Sequence, residues 1–336
     1  MSYKQMTGNI ISATKVEPNG AFEDSAASGV WNLQDQYDYR RGANWPETGN
    51  AAPIGLFFAN SATIIDKFNM ATQSDTVDFG DFSSGTMGNS FSVGSTTRAV
   101  CERGNSNTAT DLEYWAFSTG GNGVDFGDLS VGRYGGKGAN NETRGLFIAG
   151  YDSSNIGNTI DYITISSTGN ATDFGDTSVV KYLLGSSQSD TRATSNGGYT
   201  SGFATSNVID YVTIASTGDA SDFGDLTVAR YECTGQSNRT RGITAGGGPS
   251  AKNEIDYFTI ASTGNATDFG DLQAGRADIG SCASTTQLFM AVIVSVAKEI
   301  QVITIATTGN STDWADITGF NSTKNGTSSA HGGVAA

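Results

Sequence analysis

NATDFGD, residues 170–176, contains the Asp-Phe-Gly triplet that carries magnesium in protein kinases. A kinase also needs a Gly-rich loop over the phosphates, a strand lysine and an H-R-D catalytic loop, and the sequence has none of them. Instead the same stretch returns, as VDFGD at 77–81 and 124–128, SDFGD at 221–225, TDFGD at 267–271 and TDWAD at 312–316. A catalytic triplet occurs once, whereas a structural one repeats.

With the first aspartate of each copy as anchor, Asp78, Asp125, Asp173, Asp222, Asp268 and Asp313 are spaced by 47, 48, 49, 46 and 45 residues. That is the period of propeller blades, longer than leucine-rich, ankyrin or TPR units. Twelve residues before each anchor stands an acidic slot, Asp66, Glu113, Asp161, Asp210 and Asp256, with Gln301 in the last copy. Three copies read I-D-Y-x-T-I followed by S-T-G-[ND], the alternation of a half-buried strand followed by turn chemistry. Eight residues after the anchor comes a basic slot, with Arg133, Lys181, Arg230 and Arg276, replaced by Thr86 and Asn321 in the first and last copies. A second basic slot, 18 to 20 residues after the anchor, holds Arg98, Arg144, Arg192 and Arg241, then Gln287 and His331. Short apolar segments such as GLFIAG (145–150) follow it, so each period accommodates about four strands. The expected fold is all-β, a six-bladed propeller of about four antiparallel strands per blade, over residues 51–336.

Composition agrees with a folded, sheet-rich chain: 44 glycines against 4 prolines among 336 residues indicate many turns, and 17 Phe, 12 Tyr and 4 Trp supply bulk for a core. A net charge of -15 repels nucleic acid and anionic lipid, so no nucleic-acid partner is expected. The N-terminus has no signal-peptide pattern, and LFMAVIVSVA (288–297) is too short to span a bilayer, so it reads as a buried strand and no membrane insertion is expected. Cys101, Cys233 and Cys282 are widely spaced and read as free thiols; without a Cys/His cluster no zinc site is expected.

The order of arginine, strand, strand ending in glycines, I-D-Y strand and aromatic in the last strand resembles a kelch repeat, with Phe174 or Trp314 at the usual tryptophan position. IDYxTIASTGNATDFGDL, together with SGVWNLQDQYDYRRGANWP at 28–46, is similar to kelch-like structural proteins of tailed bacteriophages, especially those of marine bacteria and cyanobacteria. The repeat resemblance covers roughly residues 55–320, strongest in the three central copies. It implies a virion structural protein of tail, neck, fibre or capsid surface, assembled in the host cytoplasm. Its partners would be other virion proteins in a symmetric oligomer or larger assembly. The alternative is an adhesin that recognises host surface glycans.

The repeated residues read as structure. Phe79, Phe126, Phe174, Phe223, Phe269 and Trp314 give one large ring per blade, each able to bury about 150 to 250 Å². The paired acids Asp78/Asp81, Asp125/Asp128, Asp173/Asp176, Asp222/Asp225, Asp268/Asp271 and Asp313/Asp316 recur with similar neighbours, whereas a glycosidase needs two unlike carboxylate environments. They lack the calcium-loop pattern, and turn capping is the expectation, with no metal and no cofactor. Arg98 precedes Glu113, Arg144 precedes Asp161, Arg192 precedes Asp210 and Arg241 precedes Asp256, while Gln287 precedes Gln301, so both charges vanish together. That predicts four ion pairs within blades, because a lone buried charge costs several kcal/mol. The single histidine, His331, falls in a second-slot position and offers no catalytic pair, so no enzymatic activity is expected. Residues 1–50 lie outside the repeat and carry Trp31, Tyr39 and Trp45. They suit an assembly-contact arm or an extra strand around the propeller. GTSSAHGGVAA at the C-terminus resembles another second-slot strand and is expected to be either a closing strand of the ring or an accessory strand outside it.

Overall fold

The structure, a computed structural model, describes residues 53–85, 88–104, 109–294 and 297–334. They form six four-stranded antiparallel sheets, the blades of a β-propeller, plus one two-stranded hairpin. Blades 2 to 6 run from inner to outer strand in chain order; blade 4, for example, is Gly185–Gln188, Arg192–Asn196, Val208–Thr213 and Ser221–Asp225. Blade 1 takes Ile54–Ala59, Ile64–Asn69 and Val77–Asp81 from the start of the repeat region and its inner strand, Thr323–Ser328, from the C-terminal end. Leu56 faces Thr327 and Phe57 faces Gly326 across that seam. First and last copies thus share one sheet and no edge is left open between them.

The C-terminal segment is thus the closing strand of the two alternatives, although not the second-slot strand that its sequence resembles. Residues 323–328 are an inner strand, and Ile54 occupies the second basic slot of blade 1. The cap shows it: Ser329 Oγ accepts from the Ile54 N–H at 3.0 Å, just as Ser189 Oγ accepts from Arg192 N–H and Ser284 Oγ from Gln287 N–H, each also at 3.0 Å. LFMAVIVSVA is likewise not one strand, since the second strand of blade 6 ends at Val294 and the third begins at Ala297.

The D-F-G-D motif is a bulge. In blade 3, Ile160 faces Gly175 while Asp161 faces Asp173, so Phe174 is the extra residue of the outer strand. The same slip recurs in the other five blades at Phe79, Phe126, Phe223, Phe269 and Trp314. The displaced ring turns inward: the five phenylalanines are buried and Trp314 is half-buried. The following glycine sits against the next blade. Gly175 has φ +141°, and a Cβ there would lie 2.6 Å from the backbone of Gly218 in the S-T-G turn of blade 4. That turn grips the bulge, with Gly218 N–H donating to Phe174 O and Ala220 N–H to Asp176 O, both at 2.7 Å. Asp219 Oδ1 accepts from the Asp176 N–H at 3.0 Å. Asn170, Asn265, Asn310 and Asp75 accept in the same way from Asp128, Asp225, Asp271 and Asp316, the last joining blade 6 to blade 1.

The acids of D-F-G-D therefore do little of the turn capping expected of them; the Asx residue of the following S-T-G-[ND] turn does it. The first aspartate of each pair is exposed, and Asp81 and Asp128 accept from the Thr63 and Thr110 hydroxyls at 2.9 Å.

Removing residues 323–336 takes away the inner strand of blade 1 and uncovers the edge formed by Leu56, Phe57 and Phe58, all fully buried in the intact chain. The shortened protein is expected to aggregate or elute as large species in size-exclusion chromatography, and a monodisperse monomer with an unchanged circular dichroism spectrum would contradict the seam.

Candidate functional site

The two basic slots do different jobs from those expected. The acidic slot pairs with the first basic slot: Arg133 Nη1 lies 2.8 Å from Asp161 Oδ2, Lys181 Nζ lies 3.0 Å from Asp210 Oδ2, and Arg230 pairs with Asp256. All six side chains are almost fully buried. Each acid also clasps the loop after the preceding D-F-G-D, as Ser130 Oγ donates to Asp161 at 2.6 Å, Ser178 Oγ to Asp210 at 2.6 Å and Thr227 Oγ1 to Asp256 at 2.7 Å. Glu113 receives Ser83 Oγ at 2.7 Å, with Arg103 3.9 Å away. Burial holds the Lys181 amine below its usual range even with Asp210 beside it.

Arg98, Arg144, Arg192 and Arg241 do not reach these acids. Their guanidinium carbons lie 4.2, 4.5, 4.5 and 4.5 Å from the ring centres of Tyr114, Tyr162, Tyr211 and Tyr257, the residue after each acid. Behind each tyrosine, edge-on at 6.1, 6.0, 5.8 and 5.9 Å, stands the bulge phenylalanine of the same blade, Phe126, Phe174, Phe223 or Phe269. The arginines also donate to backbone carbonyls of the next blade, Arg192 Nη1 to Ile260 O at 3.0 Å for example. The joint loss in blade 6 thus belongs to the arginine and tyrosine positions, which become Gln287 and Val302, while Gln301 lost its charge separately and Arg276 kept its own.

The axis is polar and closed at one end. Inner strands of neighbouring blades are laced by hydroxyls, including Ser186 Oγ to Gly138 O at 2.7 Å, Ser187 Oγ to Gln236 O at 3.1 Å and Ser328 Oγ to Ala283 O at 2.6 Å. Where these strands end, His331 crosses the axis: its Nε2 lies 2.8 Å from Gly94 O and 3.2 Å from Asn140 Nδ2, and its Nδ1 lies 3.2 Å from Gln188 Nε2. Gly332 N–H continues to Ser237 O at 3.0 Å. His331 is a plug touching blades 2, 3 and 4, not a degraded arginine position.

At the opposite mouth, Gly135, Leu183, Glu232 and Asp278 all adopt left-handed φ, between 51° and 68°. Each donates its N–H to the neighbouring blade, Gly135 to Asn89 O at 2.8 Å, Leu183 to Gly135 O and Glu232 to Leu183 O at 2.7 Å, and Asp278 to Glu232 O at 3.1 Å. Lys324 bridges Asp278 at 2.9 Å and Lys137 Nζ donates to Lys324 O at 2.8 Å. The cavity inside is about 20 Å³, room for about one water molecule. Burial pushes Lys137 down to about 8, and burial followed by the nearby Asp278 carboxylate raises Glu232.

The same face carries a feature sequence reading missed. Tyr134, Tyr151, Tyr182, Tyr199, Tyr231 and Phe203 form one aromatic cluster over blades 3 to 5, with Tyr199 and Tyr231 stacked at 3.9 Å and Tyr151 and Phe203 at 6.3 Å. The signal was available as R-Y, K-Y and R-Y at the first basic slot, where the other described blades have Ala277 and Ser322. Trp31, Tyr39 and Trp45 lie outside the described residues. Among the described residues no three His, Cys, Asp or Glu side chains converge as a metal-ion group, and the three cysteines are buried, with burial raising their thiols.

Compared with known protein families and with curated proteins, the chain matches none. Its class follows from the geometry: a six-bladed β-propeller, a fold usable as an interaction platform.

Two outcomes test the charged positions. Lys181→Met leaves Asp210 without its cation and is expected to cost about 3 to 5 kcal/mol in urea unfolding, whereas Arg192→Met is expected to cost about 1 kcal/mol. Equal effects would contradict this division of roles. Burial lowers His331 from 6.5 to about 4. The unfolded chain then takes up the proton first as the pH falls, so up to roughly 3 kcal/mol of stability is lost between about pH 6.5 and pH 4. His331→Gln should lack this component. The carboxyls of buried Glu102 and half-buried Glu232, shifted up and acting with the opposite sign, are common to both proteins and cancel in the difference between their melting curves.

Proposed function

We propose that this protein is a non-enzymatic, kelch-like structural component of a tailed-phage particle, exposed on tail, neck, fibre or capsid, with the propeller as a rigid interaction platform. The observation that carries the platform role is the contrast between five blade-to-blade junctions built on the same bulge and turn glycine and one face where, among the described residues, only blades 3 to 5 bear the aromatic cluster. A repeat whose junctions are kept while one face is set apart is one in which that face is put to use. The virion assignment is supported by the similarity of IDYxTIASTGNATDFGDL and of residues 28–46 to phage structural proteins. In this reading residues 1–50 attach the disc to neighbouring virion proteins through Trp31, Tyr39 and Trp45, since aromatic residues and arginine are enriched in interfaces.

A second reading, an adhesin for host surface glycans, is favoured by the same aromatic face, because sugar-binding surfaces need exposed rings with polar groups beside them.

Mass spectrometry of purified particles is expected to find the protein. A chain starting at Ala52 retains every described strand of the propeller, so it is expected to fold yet fail to join particles. Normal incorporation of that shortened chain would refute the attachment role of residues 1–50, and absence of the intact protein from particles would refute the virion assignment.

A further inference from the structure

We propose that the aromatic saddle on blades 3 to 5, together with the trough beside it, is a binding subsite for a neutral pyranose oligosaccharide. This inference rests on the adhesin reading for its ligand class and adds the site, its residues and the charge of the sugar.

The rings are not part of the blade cores. Tyr134, Tyr151, Tyr199 and Tyr231 are half-buried and stand apart from the apolar clusters that fill the sheets. They are presented by a device found, among the described residues, only in blade 4, a hairpin of Tyr199–Thr200 and Ala204–Thr205. At its tip Phe203 is 54% exposed and has φ +56°. A bulky residue held in the left-handed region is strained, and such strain concentrates at ligand-contacting positions. Phe203 lies over Tyr151 of blade 3, so the hairpin extends one continuous aromatic surface across two blades.

The other flank of the hairpin lines a trough of about 520 Å³, within the size range of about 300 to 1,000 Å³ for small-ligand sites. Val179 and Val208 supply apolar surface, and Thr200, Ser201, Thr205 and Asn207 supply hydroxyl and amide groups. A pyranose has the matching character. Its C–H face, with partial positive charge on the hydrogens, meets the negative face of an aromatic ring, while its equatorial hydroxyls exchange hydrogen bonds with side-chain hydroxyls and amides. A peptide partner would be served better by an apolar centre with arginine around it than by this hydroxyl-rich rim. The charge of the ligand follows from the field of the protein. A net charge of -15, with Glu232 and Asp278 at the neighbouring mouth, disfavours sulfated or uronic-acid chains and leaves neutral sugars.

The test is isothermal titration of the full-length protein with cellohexaose, maltohexaose, mannohexaose and chitohexaose, and with dextran sulfate as the polyanion. At least one neutral hexasaccharide is expected to bind. Phe203→Ala and Tyr199→Ala should each weaken it tenfold or more, and Tyr199→Phe should weaken it less because the ring remains. Val77→Ala, an exposed apolar position on blade 1, should leave it unchanged. Should Tyr199→Ala fail to fold, the exposed Phe203→Ala variant carries the comparison. Binding of a neutral sugar that survives Phe203→Ala overturns the site while the adhesin reading stands. Binding of dextran sulfate alone overturns the ligand class, and binding of none of the five overturns this inference and the adhesin reading together.

Discussion

Each blade is fastened to the next where the outer strand bulges at the D-F-G aromatic and the following turn closes on it. The turn glycine donates to the carbonyl of the bulge aromatic at 2.7 to 2.9 Å in five junctions. The glycine after the ring must be free of a side chain, because a Cβ would lie 2.5 to 2.6 Å from the opposing turn backbone at Gly127, Gly175, Gly224 and Gly270. Two constraints meet in this one tripeptide. The bulge sends the ring inward to fill its blade, and the bare glycine lets the next blade approach. The fixed twelve-residue interval between acid and anchor follows, since the acid faces the anchor across the bulge and an insertion between them would move the turn off its partner.

The charged positions extend the same junction into the interior. A buried acid accepts from the loop that leaves the preceding bulge, and in blades 3, 4 and 5 it is neutralised by the cation on that same loop. Desolvating a carboxylate is costly, and a hydroxyl, a backbone N–H and a cation together offset that cost where one of them would not. Blade 1 retains Asp66 with Thr76 Oγ1 at 2.7 Å and Gly319 N–H at 3.0 Å, so the clasp on the loop, more than the charge pair, is the constant feature. The second basic slot obeys different physics. Its arginines lie over tyrosine rings at the blade surface, half-buried, where stacking and a hydrogen bond to the next blade suffice.

The fold was legible because its period, its bulge aromatic and its turn all recur in the chain. Partner assignment was less so, for a reason visible in Asp161. Both basic slots precede it within 28 positions, as Arg133 and Arg144, and sequence order brings Arg144 nearer, but Arg144 begins a strand at the far end of the sheet from Arg133's loop. The identity of the next residue, Tyr162, would have resolved the matter. Arginine and tyrosine occur together in blades 2 to 5 and are both absent from blade 6, and from blade 1 once Ile54 and Lys67 are recognised as its slots. The seam hid that recognition, since nothing in residues 323–334 states that they belong to the sheet of residues 54–81. The same displacement made His331 look like a repeat position, although it lies on the axis.

Repetition also explains why the aromatic face escaped notice. A residue that recurs in three copies out of six, such as Tyr134, Tyr182 and Tyr231, looks like a repeat position in decay when only the sequence is in view. In space the three copies are neighbours, and decay has no reason to choose adjacent blades. Their rings join Tyr151 and Tyr199, each seven residues after a second-slot arginine and opposite a first-slot tyrosine, and Phe203, whose hairpin has no counterpart in the other described blades. The left-handed residues at the mouth point the same way. Gly135 meets the backbone requirement without a side chain, whereas Glu232 and Asp278 hold carboxylates in a conformation that glycine adopts more cheaply. Acids kept at a conformational cost beside an aromatic surface concentrate side-chain function on one end of the axis, while the opposite end is sealed by the chain's own His331.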